Sequence, residues 1–587
     1  MNSSKFHIPT IFIILGSTGD LMRKKIVPAL FHLYKNEYLP KMFHVIGVSR
    51  RNWTDTEFRK SLREILQEHN EKDFEQYINL WSYHQGLFDN LDNYSSLAQK
   101  LGFYDKEWRV CANKLFYIAA PPQYYEEILT HLHTSKLTKP CSPEEGFTRV
   151  LIEKPFGKDQ ETAEKLEKLL SHLFKEEQIY RIDHYLAKEM LQNILNFRFS
   201  NTLFESSWSN KYIEKVRIRL WETIGVEKRG AFYDGIGALR DVGQNHLLQM
   251  LALITMDHPG NFSTEAIRSK REEILKTLIM PKKEEIKKFT FRAQYKGYKK
   301  IKDVRSDSTT ETYFKTRVFL NSPRWRGVPF ILESGKRLKE VMKEIIITFK
   351  HPKPCLCPPG SHHELKNRVV IQMEPEEGVF VDLWSKKPGL LFEVKGQKFQ
   401  FLIREKHQRV QYVEEYEKLL LDSIRGDQTL FVRSDEVSTM WQFIDPISYA
   451  WKKNIVPLRI YKPDTDEPMI VSQFIDKGTN AEPFFTPVKK EIGVIGLGKM
   501  GSNLCRHLVE KKWKVVGYNR TTEDTKLLAG EMITPSYSIK EFVSQLTRPR
   551  LIWLSLPAGK SIDEILFGER GIIDFLDKND VILDGGN

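Results

Sequence analysis

The amino-acid sequence predicts an α/β plus α+β architecture in three folded parts. These are an N-terminal Rossmann-type domain, a large α+β domain with a mostly antiparallel sheet, and a second, C-terminal Rossmann-type domain. Apolar strands alternate with helical stretches as far as about residue 190, which is typical of a parallel sheet covered on both faces. Strand-like runs without that alternation follow. Beyond a polar, proline-bearing stretch, the pattern of strand, glycine loop and helix begins again.

These patterns predict domains at residues 1–190, 191–475 and 489–587, with a linker at 476–488. The apolar period predicts a helix over Glu161–Tyr180 with Asp159 as its N-cap. The predicted strands, in chain order, are Ile11–Leu15, Phe43–Val48, Lys114–Ala119, Thr148–Ile152, Lys215–Trp221, Glu344–Phe349, Val369–Met373, Val379–Leu383, Glu491–Ile495, Lys514–Tyr518 and Leu551–Leu556.

The composition limits the function classes. The chain of 587 residues has a net charge of +13, which favours anionic partners such as phosphorylated small molecules. No long Lys/Arg block or zinc-finger spacing supports nucleic-acid binding. No signal peptide and no apolar run near the roughly 20 residues of a membrane span are present, so we expect a soluble cytoplasmic protein without membrane partners.

The five cysteines are sparse and odd in number, which does not predict a disulfide framework. We expect all of them to be reduced. Cys355 and Cys357 form a single C-x-C without a second pair at ligand spacing, so we expect no metal site.

The first predicted strand runs into a glycine loop that opens a helix. Glycines let the backbone approach a pyrophosphate, whose charge is bound by free N–H groups at the helix start. Glycines also serve in ordinary turns, but the strand–loop–helix context favours a dinucleotide site. The loop consists of Gly16, Ser17, Thr18, Gly19, Asp20 and Leu21.

Two arginines, Arg50 and Arg51, follow the second predicted strand. A site for NAD usually places a carboxylate there, whereas guanidinium groups suit the 2′-phosphate of NADP by charge and bidentate geometry. The sequence therefore favours NADP as the cofactor. A solvated pair of charges is the alternative interpretation.

Two polar clusters lie further along the chain. If residues 181–189 are helical, His184 and Lys188 lie four apart on one face and can share a phosphate. The second cluster places Asp241 and His246 just before the apolar run Leu247–Leu253. A histidine in this position either serves as a polar group at the helix start or acts as a general base at a pocket rim.

Six pieces of sequence, in a shared order over about residues 8–475, resemble the glucose-6-phosphate dehydrogenase family. The resemblance implies an NADP-dependent enzyme that oxidises glucose 6-phosphate at C1 to the lactone and forms homodimers or homotetramers. The pieces are G-S-T-G-D-L-M-R-K-K at 16–25, E-K-P-F-G at 153–157, R-I-D-H-Y-L-A-K-E at 181–189, R-D-V-G-Q-N-H-L-L-Q-M at 240–250, S-G-K at 334–336 and F-V-R-S-D-E at 431–436.

The resemblance also implies roles for the central residues. His246 corresponds to the general base that removes the proton of the C1 hydroxyl, and Asp183 to the carboxylate that orients it. His184, Tyr185 and Lys188 correspond to the phosphate site. Because hydride passes directly from the sugar to the nicotinamide, this chemistry needs no metal.

The remaining substrate contacts implied by the resemblance lie around the sugar. Lys154 corresponds to a lysine that touches both substrate and cofactor. Glu222 and Asp241 correspond to carboxylates that hold sugar hydroxyls, and Lys336 to another substrate lysine. Arg50 corresponds to the arginine on the 2′-phosphate of NADP.

Two positions depart from the family pattern. Ala187 stands where the family usually has glycine, a position without side-chain chemistry. Val341 stands where many members carry an arginine near the substrate. We expect this second departure to weaken one contact to the sugar or its phosphate and to raise KM, leaving the base and the hydride geometry unchanged.

The C-terminal segment resembles the N-terminal domain of 6-phosphogluconate dehydrogenase. The resemblance rests on the loop with Gly496, Gly498 and Gly501, on N-R-T at 519–521, and on D-G-G-N at 584–587. It implies that Asn519, Arg520 and Thr521 hold the 2′-phosphate of NADP and that Asn587 touches substrate. The catalytic lysine and helical domain of that family would lie beyond Asn587. We therefore expect this segment not to decarboxylate 6-phosphogluconate by itself.

Three functions remain open at this point. The first is an active NADP-dependent glucose-6-phosphate dehydrogenase, which His246 and Asp183 favour. The second is a non-catalytic relative that binds NADPH or regulates. The third is an oxidoreductase of similar fold that acts on another sugar, although His184 and Lys188 argue against a neutral one.

Overall fold

Consecutive apolar residues form the first strand, β1 (Thr10–Leu15), in which all six residues are buried. A strand that is buried on both faces belongs in the middle of a covered parallel sheet. In this computed structural model, β1 pairs in parallel with β2 (Phe43–Ser49) on one side and with Asn113–Ile118 on the other. The apolar run therefore forms the centre of the N-terminal sheet.

The chain divides into two compact units, Met1–Asn480 and Ala481–Asn587. Among the described residues, no helix is both long and apolar enough to cross a bilayer. The structure describes residues 9–66, 72–142, 146–352, 366–390, 393–402, 414–477, 490–569, 571–578 and 580–585.

The first sheet has the strand order β3-β2-β1-β4-β5-β6, all parallel, which is the order of a Rossmann fold. Phe431–Val432 extends it as an antiparallel seventh strand beside β6. The four strands not yet introduced are β3 (Trp81–Gln85), β4 (Asn113–Ile118), β5 (Thr148–Glu153) and β6 (Ile179–Ile182).

Helices connect and cover these strands. A segment of wider helical turns, Met22–Ile26, follows the first loop and continues into α1. The helices of this part are α1 (Val27–Lys35), α2 (Asp55–Ile65), α3 (Lys72–Asn79), α4 (Leu91–Trp108), α5 (Tyr125–Thr134), α6 (Gln160–Leu173), α7 (Glu189–Phe199) and α8 (Thr202–Glu205).

The predicted helix over Glu161–Tyr180 is partly wrong. Its N-cap is confirmed, since the Asp159 side chain accepts a hydrogen bond from the Thr162 N–H at 2.9 Å. However, α6 ends at Leu173, and the chain forms the fully buried strand β6 from Ile179 onward. The apolar helical period stops near Phe174, and pairing with β5 decides the conformation of the following residues.

The second sheet has nine strands in the order β14-β13-β12-β11-β7-β10-β9-β8-β16. Among the described residues only the pairs β7–β10 and β8–β16 are parallel, so the prediction of a mostly antiparallel sheet is confirmed. The strands are β7 (Ile213–Trp221), β8 (Thr290–Tyr295), β9 (Tyr313–Val318), β10 (Phe330–Gly335), β11 (Met342–Phe349), β12 (Arg368–Glu374), β13 (Gly378–Lys386), β14 (Val394–Leu402) and β16 (Arg459–Tyr461), with β15 (Phe431–Val432) in the first sheet.

One helical run of this part is buried over most of its length. Leu239–Leu247 forms wide helical turns that continue into the fully buried helix α10. Its apolar residues join both sheets in one core. The helices are α9 (Gly230–Tyr233), α10 (Leu248–Thr255), α11 (Thr264–Leu275), α12 (Lys283–Phe289), α13 (Glu415–Arg425), α14 (Ser434–Lys452), α15 (Glu467–Val471) and α16 (Phe474–Lys477).

The second unit is a smaller parallel sheet with the order β19-β18-β17-β20-β21. Its strand order corresponds to β3-β2-β1-β4-β5 of the first sheet, so it is a second Rossmann-type sheet, as the sequence predicts. The elements are β17 (Glu491–Ile495), α17 (Lys499–Glu510), β18 (Lys514–Tyr518), α18 (Thr522–Ala529), β19 (Ile533–Ser536), α19 (Ile539–Gln545), β20 (Leu551–Leu554), α20 (Lys560–Phe567) and β21 (Val581–Asp584).

Two of the cysteines contradict the expectation of reduced thiols. Cys111 and Cys141 are joined as a disulfide, with Cα atoms 6.4 Å apart. They precede the neighbouring strands β4 and β5, whose pairing brings their starts together although the cysteines are 30 residues apart. Cys505 is free and buried, and Cys355 and Cys357 lie outside the described residues.

The predicted domain boundaries stay predictions. The boundary at residue 190 lies within α7, so the first two parts share a helix. Most of the predicted linker, 476–488, lies outside the described residues, and its first two residues belong to α16.

A buried ion pair fastens α11 to α14. The Arg271 Nε lies 3.1 Å from the Glu436 Oε1, and neither side chain is more than 1% exposed. Arg271 also donates to the carbonyls of Thr429 and Phe431. Removal of one partner from such a pair leaves an uncompensated charge in the core, which costs far more than loss of a surface pair.

We expect Arg271→Met to destabilise the first unit by about 3–5 kcal/mol, because Glu436 would remain charged and buried. Adding Glu436→Gln should recover part of that loss. The control Arg63→Met removes a pair whose side chains are 40% and 57% exposed, and it should leave stability unchanged. Urea unfolding of the full chain, followed by tryptophan fluorescence, measures all three. Equal midpoints for Arg271→Met and the parent chain would contradict this account.

Candidate active site

The predicted site residues come from strand ends that meet at one edge of the first sheet. The glycine loop follows β1, and Arg50 follows β2. Lys154 follows β5, and Asp183 follows β6. Because parallel strands end at the same edge, their connecting loops form a crevice there, where ligands bind in open α/β sheets. The helical run Leu239–Leu247 brings His246 to this edge.

The centre of the site is a buried pair. The His246 Nδ1 lies 2.5 Å from the Asp183 Oδ1, and the two side chains are 2% and 1% exposed. The same carboxylate oxygen accepts the Tyr185 N–H at 3.0 Å. The Asp183 Oδ2 is buried without a hydrogen-bond partner among the described residues. The aspartate therefore fixes the imidazole through one oxygen.

Lys154 approaches the other nitrogen of the imidazole. Its Nζ lies 2.8 Å from the His246 Nε2 and donates to the Asp241 carbonyl at 3.0 Å. An ammonium group can only donate and an ionised carboxylate can only accept. The two neighbours therefore assign the proton of neutral His246 to Nδ1 and leave a lone pair on Nε2.

The ionisation of the pair follows from these contacts. Burial disfavours the Asp183 carboxylate, but attraction and hydrogen bonding from His246 outweigh it and hold the pKa of Asp183 at about 2. For His246, burial is the largest influence and lowers the pKa below the ordinary value, although Asp183 opposes it. At neutral pH the arrangement is a carboxylate beside a neutral imidazole, which is what a general base requires.

Aromatic rings hold the imidazole from the sides. The Tyr185 ring stacks on the His246 ring with centroids 4.1 Å apart, and the His184 ring meets it edge-on at 4.9 Å. Burial is the largest cause that lowers the pKa of His184 well below its usual value, and the nearby His246 and Lys154 add to it. Asp183, His184 and His246 offer donor atoms within 4.8 Å of one another, and the expected absence of a metal stays a prediction.

Residues 183–188 are not helical, so the premise of a shared helix face for His184 and Lys188 is wrong. They form a turn held by i to i+3 hydrogen bonds such as Leu186 N–H to the Asp183 carbonyl, and α7 begins only at Glu189. The tight turn directs Asp183 and His184 toward His246. The Lys188 Nζ lies 5.4 Å from the Tyr185 ring centroid, so the turn still brings the cluster together.

Lysines of the site are each beside a carboxylate. The Lys188 Nζ donates to the Glu415 Oε1 at 2.7 Å, and the Lys336 Nζ donates to the Glu222 Oε2 at 2.5 Å. Lys336 follows β10 and Glu222 follows β7, and these strands are paired in parallel. The substrate residues predicted from separate motifs therefore converge on one region.

Asp241 completes this region. It is buried, and its carboxylate lies 3.7 Å from the Lys154 Nζ and 3.9 Å from the Arg229 guanidinium. Burial raises its pKa, but Lys154 and Arg229 outweigh burial and lower the value overall. Asp241 is therefore an ionised hydrogen-bond acceptor at the rim of the site.

The first glycine loop packs closely against neighbouring backbone. Gly16 has φ +101°, and a Cβ there would lie 2.4 Å from the Ala119 carbonyl oxygen, so only glycine fits. The N–H groups of Gly16 and Ser17 donate to the Val48 carbonyl at the end of β2. The Ser17 Oγ is buried without a hydrogen-bond partner among the described residues. Neighbouring backbone therefore fixes the start of the loop Gly16–Leu21, and one buried hydroxyl there keeps no partner among the described residues.

The remaining loop residues lie where the motif predicts. Thr18 is partly exposed, whereas Gly19 and Asp20 are exposed beside the start of the helical run. Arg50 is exposed two residues beyond the carbonyl that anchors the loop, at the end of β2. Arg51 lies 4.7 Å from the Trp53 ring centroid. Arg50 and Arg51 are thus both exposed cations at this edge.

The second unit carries its own glycine loop. Gly496 has φ +93°, and a Cβ there would lie 2.3 Å from the Ser555 carbonyl oxygen. A Cβ on Gly501 would lie 1.8 Å from the Gly496 oxygen, whereas one on Gly498 would meet nothing within 4 Å. Gly498 is the N-cap of α17, so its open face lies beside the positive end of a helix.

The residues after β18 support this second loop. The Asn519 Oδ1 accepts from the Leu497 N–H at 3.1 Å, and its Nδ2 donates to the Asp524 Oδ2 at 2.7 Å. Arg520 and Thr521 are exposed beside it. Asn587 lies outside the described residues, so its predicted contact is not described.

Sequence reasoning missed a half-buried acid beside the site. Glu153 accepts hydrogen bonds from the Tyr117 and Tyr416 hydroxyls, the latter at 3.1 Å. Burial is the largest cause and raises the pKa of Glu153 to about 7. Glu153 belongs to the E-K-P-F-G motif, which was a usable signal. Tyr416, on α13, carried no such signal because its partner lies 263 residues away.

The fold and this site define an α/β dinucleotide-dependent oxidoreductase with a histidine–aspartate pair. Two family descriptions match its main part. Residues 13–193 match "Glucose-6-phosphate dehydrogenase, NAD binding domain", and residues 195–481 match "Glucose-6-phosphate dehydrogenase, C-terminal domain". Residues 491–587 match "NAD binding domain of 6-phosphogluconate dehydrogenase". The chain belongs to the glucose-6-phosphate dehydrogenase family and carries an additional domain of the second kind.

Individual relatives agree with this assignment. The glucose-6-phosphate 1-dehydrogenase of Borreliella burgdorferi is 38% identical over 75% of this chain and 91% of its own length. That of Bacillus subtilis is 35% identical over 76% of this chain and 92% of its own length.

Solved structures agree as well. One described as "Glucose-6-phosphate dehydrogenase in complex with its substrate glucose-6-phosphate" has a TM-score of 0.74 at 31% identity and covers 81% of this chain and 99% of that chain. Glucose-6-phosphate 1-dehydrogenase from Mycobacterium avium has a TM-score of 0.69 at 29% identity, covering 79% and 96%.

Proposed function

We propose that the chain oxidises glucose 6-phosphate at C1 to 6-phospho-glucono-1,5-lactone and transfers the hydride to NADP. The single observation that carries the proposal is the buried His246–Asp183 pair at the edge of a Rossmann-type sheet. Family membership supports the substrate, since the named relatives are glucose-6-phosphate 1-dehydrogenases.

The base chemistry follows from the orientation of His246. Its Nε2 lone pair faces the Lys154 ammonium. When Lys154 donates to a sugar oxygen instead, this lone pair accepts the proton of the C1 hydroxyl as hydride leaves C1. The C1–H electron pair goes to the nicotinamide, the O–H proton goes to Nε2, and a C1=O bond forms. Asp183 stabilises the resulting imidazolium through Nδ1, because the low pKa of Asp183 keeps its carboxylate ionised.

Other residues bind and orient the sugar. Lys154 takes a position between His246 and Asp241, where its ammonium can donate to a sugar oxygen next to the base. Lys336 and Glu222 form a donor–acceptor pair at the adjacent strand ends. His184, Tyr185 and Lys188 form the polar end of the site, where the phosphate group is held.

The first glycine loop is proposed to hold the cofactor. The loop Gly16–Leu21, with the Ser17 hydroxyl, faces the pyrophosphate, and Arg50 pairs with the 2′-phosphate of NADP. The bound cofactor supplies the hydride acceptor. The buried Ser17 Oγ, which has no hydrogen-bond partner among the described residues, supports this assignment.

Turnover of the purified full chain tests the proposal. Glucose 6-phosphate with NADP should yield the reduced cofactor, measured by its absorbance, and unphosphorylated glucose should react much more slowly. Equal specificity for glucose would favour the reading as an oxidoreductase for another sugar. No reaction, in protein with a folded circular dichroism spectrum, would favour a non-catalytic relative. 6-Phosphogluconate in a parallel assay reports any activity of the second unit.

We expect His246→Asn to lower kcat by several orders of magnitude with little change in NADP affinity, because general-base loss commonly costs about 10²–10⁴-fold. The exposed His258 supplies a matched control, and His258→Asn should behave like the parent chain. Stopped-flow and steady-state rates measure the effect. A near-normal kcat for His246→Asn would remove this residue from the base role.

We expect Arg50→Ala to raise KM for NADP by about 10- to 100-fold, the worth of a charge-assisted hydrogen bond to phosphate. KM for NAD should change little, because NAD lacks the 2′-phosphate. Steady-state kinetics with the two cofactors on the same variant measure both values. Equal losses for NADP and NAD would refute the 2′-phosphate assignment.

The second unit is proposed to bind a further NADP through Gly496, Gly498 and Gly501, with Asn519–Thr521 beside the 2′-phosphate. The open face of Gly498 at the start of α17 supports the pyrophosphate position. The contact of Asn519 with Leu497 supports a loop already ordered for binding.

Gly498→Ala should fold normally, since its Cβ meets nothing within 4 Å, and should reduce the NADP stoichiometry of the full chain from two to one. The matched variant Gly501→Ala should destabilise the unit by about 1–3 kcal/mol through overpacking. Calorimetric titration measures the number of bound NADP molecules, and hydrogen exchange of β17 measures the stability of the unit. Two bound NADP molecules in Gly498→Ala would contradict the proposed second site.

The chain is further proposed to form homodimers or homotetramers in the cytoplasm. Strand β14 is almost fully exposed at a sheet edge, with Phe399 and Phe401 more than 60% exposed, which favours association. An Arabidopsis thaliana relative, 36% identical, is named as cytoplasmic. Light scattering of the full chain and cell fractionation test the two statements.

A further inference from the structure

Lys343 is a cation in the site that no motif singles out. It lies at the second position of β11, opposite Glu374 on β12. Its Nζ donates to the Glu374 Oε1 at 2.9 Å, and its side chain is only 14% exposed. Because the Lys343 side chain is largely buried, its surroundings restrict it to one orientation.

That direction is toward the phosphate end of the site. The Lys343 Nζ lies 5.8 Å from the centroid of the Tyr185 ring, and the Lys188 Nζ lies 5.4 Å from the same centroid. The Lys188 Nζ also lies 3.9 Å from the Glu374 oxygen that Lys343 contacts. Two ammonium groups from distant parts of the chain therefore share one carboxylate and one aromatic ring.

The local charges show why one lysine is insufficient. Glu374 and Glu415 are both beside Lys188, which gives two negative charges against one positive charge. His184 is neutral here, because burial lowers its pKa well below the usual value. Lys343 brings the cluster to balance. A sugar phosphate carries up to two negative charges near neutral pH, so a site without Lys343 would repel it.

We propose that Lys343 binds the phosphate group of the sugar substrate together with Lys188 and thereby sets the preference for phosphorylated over neutral sugar. This inference rests on the proposed function. Glu374 holds both ammonium groups in place between turnovers, and phosphate oxygens take over as their partners when substrate binds. The residue two positions earlier, Val341, is apolar, so Lys343 is the charge that this end of β11 supplies.

The test is Lys343→Met, which keeps the stem of the side chain and removes the charge. KM for glucose 6-phosphate should rise about 10- to 100-fold, the worth of a charge-assisted hydrogen bond, with kcat and KM for NADP nearly unchanged. Lys343→Arg should restore most of the affinity. Lys350→Met is the matched control, because Lys350 directly follows the same strand and is exposed.

A neutral substrate separates binding from folding. The kcat/KM for glucose should be the same in Lys343→Met and in the parent chain, since glucose has no phosphate. Equal losses for glucose and glucose 6-phosphate would mean a structural role and would overturn the proposal. An unchanged KM for glucose 6-phosphate in Lys343→Met would overturn it as well, without affecting the proposed dehydrogenase activity.

Calorimetric titration of the full chain with glucose 6-phosphate measures binding without turnover. If the parent chain binds this sugar but does not oxidise it, the dehydrogenase proposal fails, and weaker binding by Lys343→Met still supports the role of Lys343. If the parent chain and Lys343→Met bind with equal affinity, the inference about Lys343 is refuted.

Discussion

The contact between His246 and Asp183 is the constraint on which the rest of the site depends. A carboxylate that is 1% exposed must be paired, because desolvation of an isolated charge costs several kcal/mol. Asp183 directly follows strand β6 of the first sheet, and His246 lies on the helical run that packs against strands β7 and β10 of the second sheet. The pair therefore forms only when the two sheets pack correctly, and correct packing delivers a neutral imidazole whose Nε2 lone pair faces the Lys154 ammonium.

A second regularity is that each lysine of the substrate region has a carboxylate neighbour. Lys188 lies beside Glu415, Lys336 beside Glu222, and Lys343 beside Glu374. These pairs keep the ammonium groups positioned and partly dehydrated, so little side-chain entropy is lost on binding. They also keep the numbers of positive and negative charges in the site similar. When an anionic sugar binds, the lysines exchange their carboxylate partners for the oxygens of the sugar phosphate.

The accuracy of the sequence predictions depended on the range of the interactions involved. Strands β17 and β18 match their predicted bounds, because an apolar run between a polar start and a glycine loop is a local signal. The predicted helix Glu161–Tyr180 wrongly includes the first two residues of the strand Ile179–Ile182, because only pairing with β5 makes them extended. The turn at Asp183–Lys188 is not predicted for a related reason. His184 and Lys188 are four residues apart, which suits a helix, but the backbone forms a turn at these residues.

The sequence by itself determined the family, both glycine loops and most of the candidate site residues. These depend on short motifs whose backbone requirements are local, as at Gly16, where any side chain would collide with a neighbouring carbonyl. Only the tertiary structure decided which groups meet across the chain. Glu415 reaches Lys188 from 227 residues away, and Glu374 joins Lys188 to Lys343. Such charge pairs depend on how distant parts of the chain pack together. The spacing of residues along the sequence does not reveal which side chains lie close together in space.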